Sequence, residues 1–239
     1  MSRQLTRAQR RRVARDKQSR PASKRGGVSR TQLLVVGVVA LLAVAAFIYI
    51  GSSGSRTPVA TVPPGVAQNG QVLGQANAPV TIDEWADFQC PACGMYVRNT
   101  EPQIRSTYVA NGQVKIVFHD FAFLGSESNW AAEAALCASD QGKFWEYHDK
   151  LYASQRGENQ GAFTKDNLKK FGSDLGLGPA FAACVDSGKY AQSVRDEQKA
   201  GQDLGVNATP TLFVNGQKLD ARVYSYDDMK KIIDPKLGK

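Results

Sequence analysis

The chain has 239 residues, 42% of them hydrophobic, and a net charge of +8, which suffices for one sizeable core or two small ones. Residues 1–30 hold 11 Lys and Arg against a single acid, Asp16, leaving 19 basic and 21 acidic groups in the remainder. A near-neutral body behind a basic tail excludes the charge footprint of a nucleic-acid-binding domain.

The basic tail (1–30) runs into an uncharged stretch in which "LLVVGVVALLAVAAFIYI", Leu33–Ile50, is apolar throughout. At 1.5 Å per residue a helix of this length spans roughly 27 Å, close to the hydrocarbon thickness of a bilayer. It has no polar face to turn towards water. It is longer than the apolar region of a cleavable leader, and no clear A-x-A site follows it. Residues 31–51 therefore read as one retained transmembrane helix in the cell membrane. The excess of Lys and Arg before it keeps the N-terminus cytoplasmic and puts everything after Gly51 outside, where disulfides form and persist. Residues 52–70, rich in Gly, Ser and Pro, read as a flexible linker. Residues 71–239 form the remaining domain.

Within that domain "APVTIDEWADF" places Val80, Ile82 and Trp85 in an extended pattern and predicts a strand. Helical spacing runs from Pro91 to about Ala110, with Pro102 expected to kink it and Asn111-Gly112 to end it. "QVKIVFHDF" (Gln113–Phe121) predicts a second buried strand, so the segment reads as a βαβ unit with parallel strands. From about 126 to 204 helical patterns separated by glycine-bearing turns predict an inserted helical subdomain. "TPTLFVNGQKL" predicts a hairpin around Asn215-Gly216. "SYDDMKKIID" predicts a closing helix with Ser225 as its N-cap.

The four cysteines carry the chemistry. Cys90 and Cys93 flank Pro-Ala where a helix opens after a buried strand. Unpaired backbone N–H groups and the positive dipole end there favour a thiolate at Cys90, and only the thiolate is nucleophilic. Cys93 follows one turn later, within reach to close or resolve a disulfide. Pro91 suits the first helical turn, whose N–H has no partner in any case. A zinc site needs two further ligands at suitable spacing. Cys137 and Cys184 stand 47 residues apart, and the two histidines, His119 and His148, sit in runs that read as packing. No metal and no organic cofactor is expected. Cys137 and Cys184 lie on alanine-rich helical segments, and an oxidising compartment favours a structural disulfide between them over two buried free thiols.

"APVTIDEWADFQCPACGMY", "QGKFWEYHDKLY" and "GVNATPTLFVNG" together resemble the DsbA-like thiol-disulfide oxidoreductases of the thioredoxin superfamily, in a membrane-anchored bacterial form. The similarity covers about Val72 to Lys239. It implies an α/β thioredoxin fold (β-α-β … β-β-α) with the helical insertion. It also implies that Cys90 is the nucleophile, Cys93 the buried resolving thiol, and Thr209-Pro210 a cis-proline loop facing Cys90 and able to pair with an extended substrate. Glu84, six residues before Cys90, matches a buried carboxylate that relays the Cys93 proton. Trp85, Asp87, Phe88 and Tyr96 fall where they would shape the groove. The partners implied are reduced exported proteins as substrates and a membrane reoxidase of the DsbB or VKOR type. Two positions depart from strongly oxidising relatives: Pro-Ala replaces Pro-His between the cysteines, and Thr precedes the cis-proline, as in reducing and isomerising relatives. The leading expectation is an extracytoplasmic enzyme that introduces disulfides into exported proteins. A reductase or isomerase running the same pair backwards, and a non-catalytic peptide-binding chaperone module, are the alternatives.

Overall fold

The structure is a computed structural model and describes residues 62–220 and 224–239. The basic tail, the apolar stretch 31–51 and residues 52–61 lie outside the described residues. No helix among the described residues is long and apolar enough to cross a membrane.

The first strands among the described residues form a hairpin of two-residue strands, β1 (Gln68–Asn69) and β2 (Val72–Leu73). This hairpin lies partly inside the stretch expected to be linker, so the folded domain starts earlier than residue 71. Strand β3 (Val80–Ala86) leads into α1 (Pro91–Asn99) and the short α2 (Glu101–Ile104), which runs on as a π-helical turn over Arg105–Val109. The helix expected over 91–110 is thus broken at Thr100, with Pro102 in the first turn of the second piece. Strand β4 (Val114–Asp120) follows. Five helices form the insertion: α3 (Ser126–Ser139), α4 (Phe144–Ala153), α5 (Lys165–Asp174), α6 (Pro179–Ser187) and α7 (Ala191–Asp203). The chain closes with β5 (Thr211–Val214), β6 (Gln217–Lys218) and α8 (Tyr226–Lys236).

The six strands among the described residues form one sheet in the order β1-β2-β4-β3-β5-β6. Strands β3 and β4 are parallel, with Val80 opposite Val114 and Ala86 opposite Asp120, as a βαβ unit requires. Strand β5 returns antiparallel on the other side of β3, with Glu84 opposite Leu212. Two positive-φ residues, Asn215 at 49° and Gly216 at 77°, make the two-residue turn to β6; this turn matches the twist of the strands it joins. Ser225 caps α8 by accepting from the Asp228 N–H.

Alternation sorts the sheet's faces. Val80, Ile82, Val114, Ile116, Phe118, Leu212 and Val214 are fully buried in the main core. On the other face Trp85 stacks on His119 at 4.3 Å and packs with Phe121 and Val206 in a smaller cluster. His119 lies between the carboxylates of Asp83 (3.2 Å) and Glu197 (3.0 Å). Burial opposes its charge, but those two carboxylates outweigh it and raise its pKa to about 9.

The insertion is tied to the thioredoxin-like part through charge as well as packing. Arg105 is buried and makes two parallel hydrogen bonds to Asp149 of α4, at 2.9 and 3.0 Å, and a third to Glu101 at 2.8 Å. His148 is buried among Phe88, Phe118 and Trp145, with Nδ1 2.9 Å from Asp149. Within the insertion a disulfide joins Cys137 of α3 to Cys184 of α6. It closes a loop of 47 residues. The loop-entropy relation puts such a cross-link at about 4 kcal/mol before strain. A Cys137→Ala/Cys184→Ala variant is expected to lose about 2–4 kcal/mol in chemical denaturation, and an unchanged midpoint would count against that role.

Candidate active site

The loop that presents the first cysteine is held from more than one element. Strand β3 delivers the chain into the loop Asp87–Gln89, and the Asp87 carboxylate fixes that loop. One oxygen accepts from the Gln89 N–H (2.8 Å) and the Ser128 hydroxyl (2.6 Å); the other accepts from the N–H groups of Phe123 and Leu124, at 3.0 and 3.1 Å. The Gln89 side chain extends the tie, donating to Ser128 and accepting from the Asn159 N–H at 2.6 Å.

Cys90 then occupies the N-cap of α1, with extended backbone and Pro91 behind it. Its thiol is 3.3 Å from the Thr209 carbonyl. The Thr209-Pro210 peptide is cis. The Pro210 carbonyl accepts from the Tyr224 hydroxyl (2.6 Å), and the Tyr224 carbonyl accepts from the Thr100 hydroxyl (2.6 Å). These bonds anchor the loop to the start of α8 and to the break in the first helix.

Both thiols are free, but their surroundings differ. Cys93 is fully buried, whereas Cys90 keeps 7% of its surface exposed. The Cys90 pKa is lowered to about 6, chiefly by the hydrogen bond from the Cys93 thiol. Burial works against this, while Thr209 and the N–H groups of Cys93 and Ala92 assist. Cys93 moves the other way: burial pushes its thiol well above the ordinary range, and the neighbouring Cys90 adds to the effect. At neutral pH one sulfur is a partly exposed thiolate and the other a buried thiol. This is the division of labour that thiol-disulfide exchange needs.

Glu84 sits in the central strand between Phe118 and Leu212, fully buried, and neither of its oxygens has a hydrogen-bond partner. Burial first, and the nearby Glu101 second, raise its pKa well above the ordinary value; Arg105 opposes them. A groove of about 790 Å³ opens beside the site, with Met95, Tyr96, Thr209, Pro210, Tyr224 and Tyr226 among its lining. Tyr96 thus lines the groove, whereas Trp85 packs with His119 and Phe121, and Phe88 packs against Phe118 and Tyr152. Among the described residues no group of His, Cys, Asp and Glu is placed to hold a metal.

Several supporting residues were not read from the sequence: Gln89, Ser128, Asn159 and Gln155. They are ordinary polar residues, and only the distances after folding single them out.

A cysteine pair at a helix N-terminus, facing a cis-proline loop on a thioredoxin-like sheet, defines the thiol-disulfide oxidoreductase class. Residues 67–235 match the family model described as Thioredoxin, and the chain belongs to that family, as a DsbA-like protein thiol-disulfide oxidoreductase. It is 31% identical to the disulfide bond formation protein D of Bacillus subtilis, over 70% of this chain and 76% of that protein. It is equally similar to the probable disulfide bond formation protein D of Bacillus anthracis, at 31% over 71% and 79%. Among solved structures it resembles oxidised BdbD from Bacillus subtilis, with a TM-score of 0.66, 27% identity, and coverage of 73% of this chain and 98% of that one. Oxidised DsbA from Mycobacterium tuberculosis superposes with a TM-score of 0.59 at 26% identity, covering 78% and 91%.

In the reduced protein, alkylation of Cys90 by iodoacetamide is expected to show a midpoint near pH 6, with Cys93 unmodified. Replacing Cys93 by Ala removes the largest cause of the shift, so the midpoint should rise. A midpoint that stays near 6 in that variant would contradict the assignment.

Proposed function

We propose that the protein is an extracytoplasmic, membrane-anchored oxidase that introduces disulfides into exported proteins through Cys90 and Cys93. The observation that carries this reading is the opposite displacement of the two thiols, one stabilised as a thiolate and the other held protonated by burial. A thiolate stabilised in the reduced pair makes that pair the better product, and the disulfide correspondingly the better oxidant. The relatives' names as disulfide bond formation proteins agree with this direction.

The exchange then runs in two steps. A substrate thiolate attacks the Cys90 sulfur, the Cys90–Cys93 bond breaks, and the electron pair leaves on Cys93, which takes a proton. The substrate's second thiolate attacks its own sulfur in the mixed disulfide and releases Cys90 as a thiolate. The substrate is oxidised by two electrons and the enzyme reduced by two. The cis-proline loop offers the Thr209 backbone to an extended substrate segment beside Cys90. Glu84 is the acid that supplies the Cys93 proton, since its burial keeps it protonated at a pH where other carboxylates are ionised. A membrane reoxidase of the DsbB or VKOR type restores the disulfide.

The placement outside the cytoplasmic membrane is supported by the apolar stretch 31–51 with its basic flank and by the Cys137–Cys184 bridge, which suits an oxidising compartment. The lowered Cys90 pKa has its source in Cys93 and backbone N–H groups, so the Pro-Ala dipeptide does not by itself reverse the direction.

Equilibration of the pair against a glutathione series tests the direction. A potential of about −120 to −180 mV is expected, and one near −270 mV would make the protein a reductase. Glu84→Gln should slow substrate oxidation while stabilising the fold at pH 7. A carboxyl whose folded pKa is raised loses stability as pH climbs above its unfolded pKa of about 4.3, and the amide has no such loss. A variant that is both fully active and less stable would refute this role.

A further inference from the structure

Gln155 lies just beyond α4 in the inserted subdomain, 65 residues from Cys90, yet its side chain reaches the loop that presents the thiol. Its amide nitrogen donates to the Phe88 carbonyl at 2.8 Å and to the Cys90 carbonyl at 3.0 Å. Its amide oxygen accepts from the Arg98 guanidinium at 3.2 Å, and Arg98 also reaches the Tyr152 carbonyl at 3.4 Å. Both the nitrogen and the oxygen of this amide are thereby directed, and its orientation is fixed by partners in the entry loop and in α1 with its N-cap.

The seat for this amide is made by a glycine. Gly94 follows Cys93 directly and lies in the interior of α1, where glycine is less favourable than alanine. A Cβ at Gly94 would fall 2.1 Å from the Gln155 amide oxygen and 2.7 Å from the Arg98 guanidinium. The backbone of Gly94 has ordinary helical angles, so conformational freedom does not explain the residue. Room for Gln155 does.

We propose that Gln155 is a positioning residue for Cys90: seated in the notch left by Gly94, it holds the Cys90 carbonyl and the loop before it, and so keeps the thiol aimed at the helix N-terminus. The Cys90 carbonyl already accepts from the Gly94 N–H at 3.1 Å. The second donor, shared with Phe88, locks the entry loop and the first helical turn into one unit. The N–H groups of Ala92 and Cys93 that favour the thiolate keep their aim only while that unit is rigid. The inserted subdomain, by this account, contributes directly to the reactivity of the pair. The titratable groups facing Cys90 are Cys93 and Tyr152, and neither is altered by changing Gln155.

The inference rests on Cys90 being the reactive thiol, which wild-type alkylation and turnover test by themselves. Given an active wild-type protein, Gln155→Ala is expected to raise the Cys90 alkylation midpoint by about one pH unit and to make the pair less oxidising. Gly94→Ala should do the same, because the methyl group displaces the amide. The double variant should show no more than the shift of either single one, since both remove the same contact. Gln155→Met keeps much of the side chain's length without the donor and adds no charge, and gives the same readout if Gln155→Ala fails to fold. Variants that lose melting temperature while the midpoint and the potential stay at wild-type values would overturn the proposal. So would additive shifts in the double variant, which would separate Gly94 from Gln155.

Discussion

Two sulfurs one helical turn apart share a single negative charge, and the rest of the structure decides which of them holds it. Cys90 gains the charge because it sits at the N-cap, touches solvent and receives the Cys93 hydrogen bond. Cys93 is denied it by complete burial. Remove the difference in burial and the two thiols become alike; remove their contact and Cys90 loses its main stabilisation. The sheet, the cis-proline loop and the insertion all bear on this one asymmetry, since each covers one sulfur or orients the other.

The βαβ unit delivers Cys90 at the end of the central strand, a placement that follows from parallel pairing of β3 with β4. Asp87 then spends both carboxylate oxygens on holding the loop to the segment after β4. The buried Arg105, bonded to Glu101 and Asp149, binds the first helical layer to α4. Breaking such a pair leaves an uncompensated buried charge, so it acts as a rigid pin between the two parts. Glu84 stands apart from these ties: it is fully buried and neither of its carboxyl oxygens has a hydrogen-bond partner, the cost that motivates the role proposed for it.

Much of this was legible in the chain. Alternating apolar residues announced β3 and β4, Asn215-Gly216 the turn, Ser225 the last cap, and the Cys-Pro-Ala-Cys stretch with Thr209-Pro210 the chemistry. The β1–β2 hairpin was not legible, because two-residue strands are too short to show a period, and Gln68 and Asn69 look like linker. The break at Thr100 was seen only as a proline kink. Polar ties such as Gln155 to Cys90 and Gln89 to Asn159 join residues 65 to 70 positions apart. A local pattern carries no trace of such contacts, which exist only once the insertion has docked. Glu84 was ambiguous for a related reason: a central strand is covered on both faces, so alternation cannot tell a buried acid from an exposed one.

Among the described residues the sheet ends on both sides in strands of only two residues, β1 and β6. An enzyme whose proposed clients are unfolded chains meets many segments seeking a strand to pair with, and a long open edge would bind them indiscriminately. Edges this short give a client almost nothing to zip against. Under the proposed function, backbone pairing is then left to the loop beside Cys90, and a client that finds no disulfide to exchange there has little else to hold it.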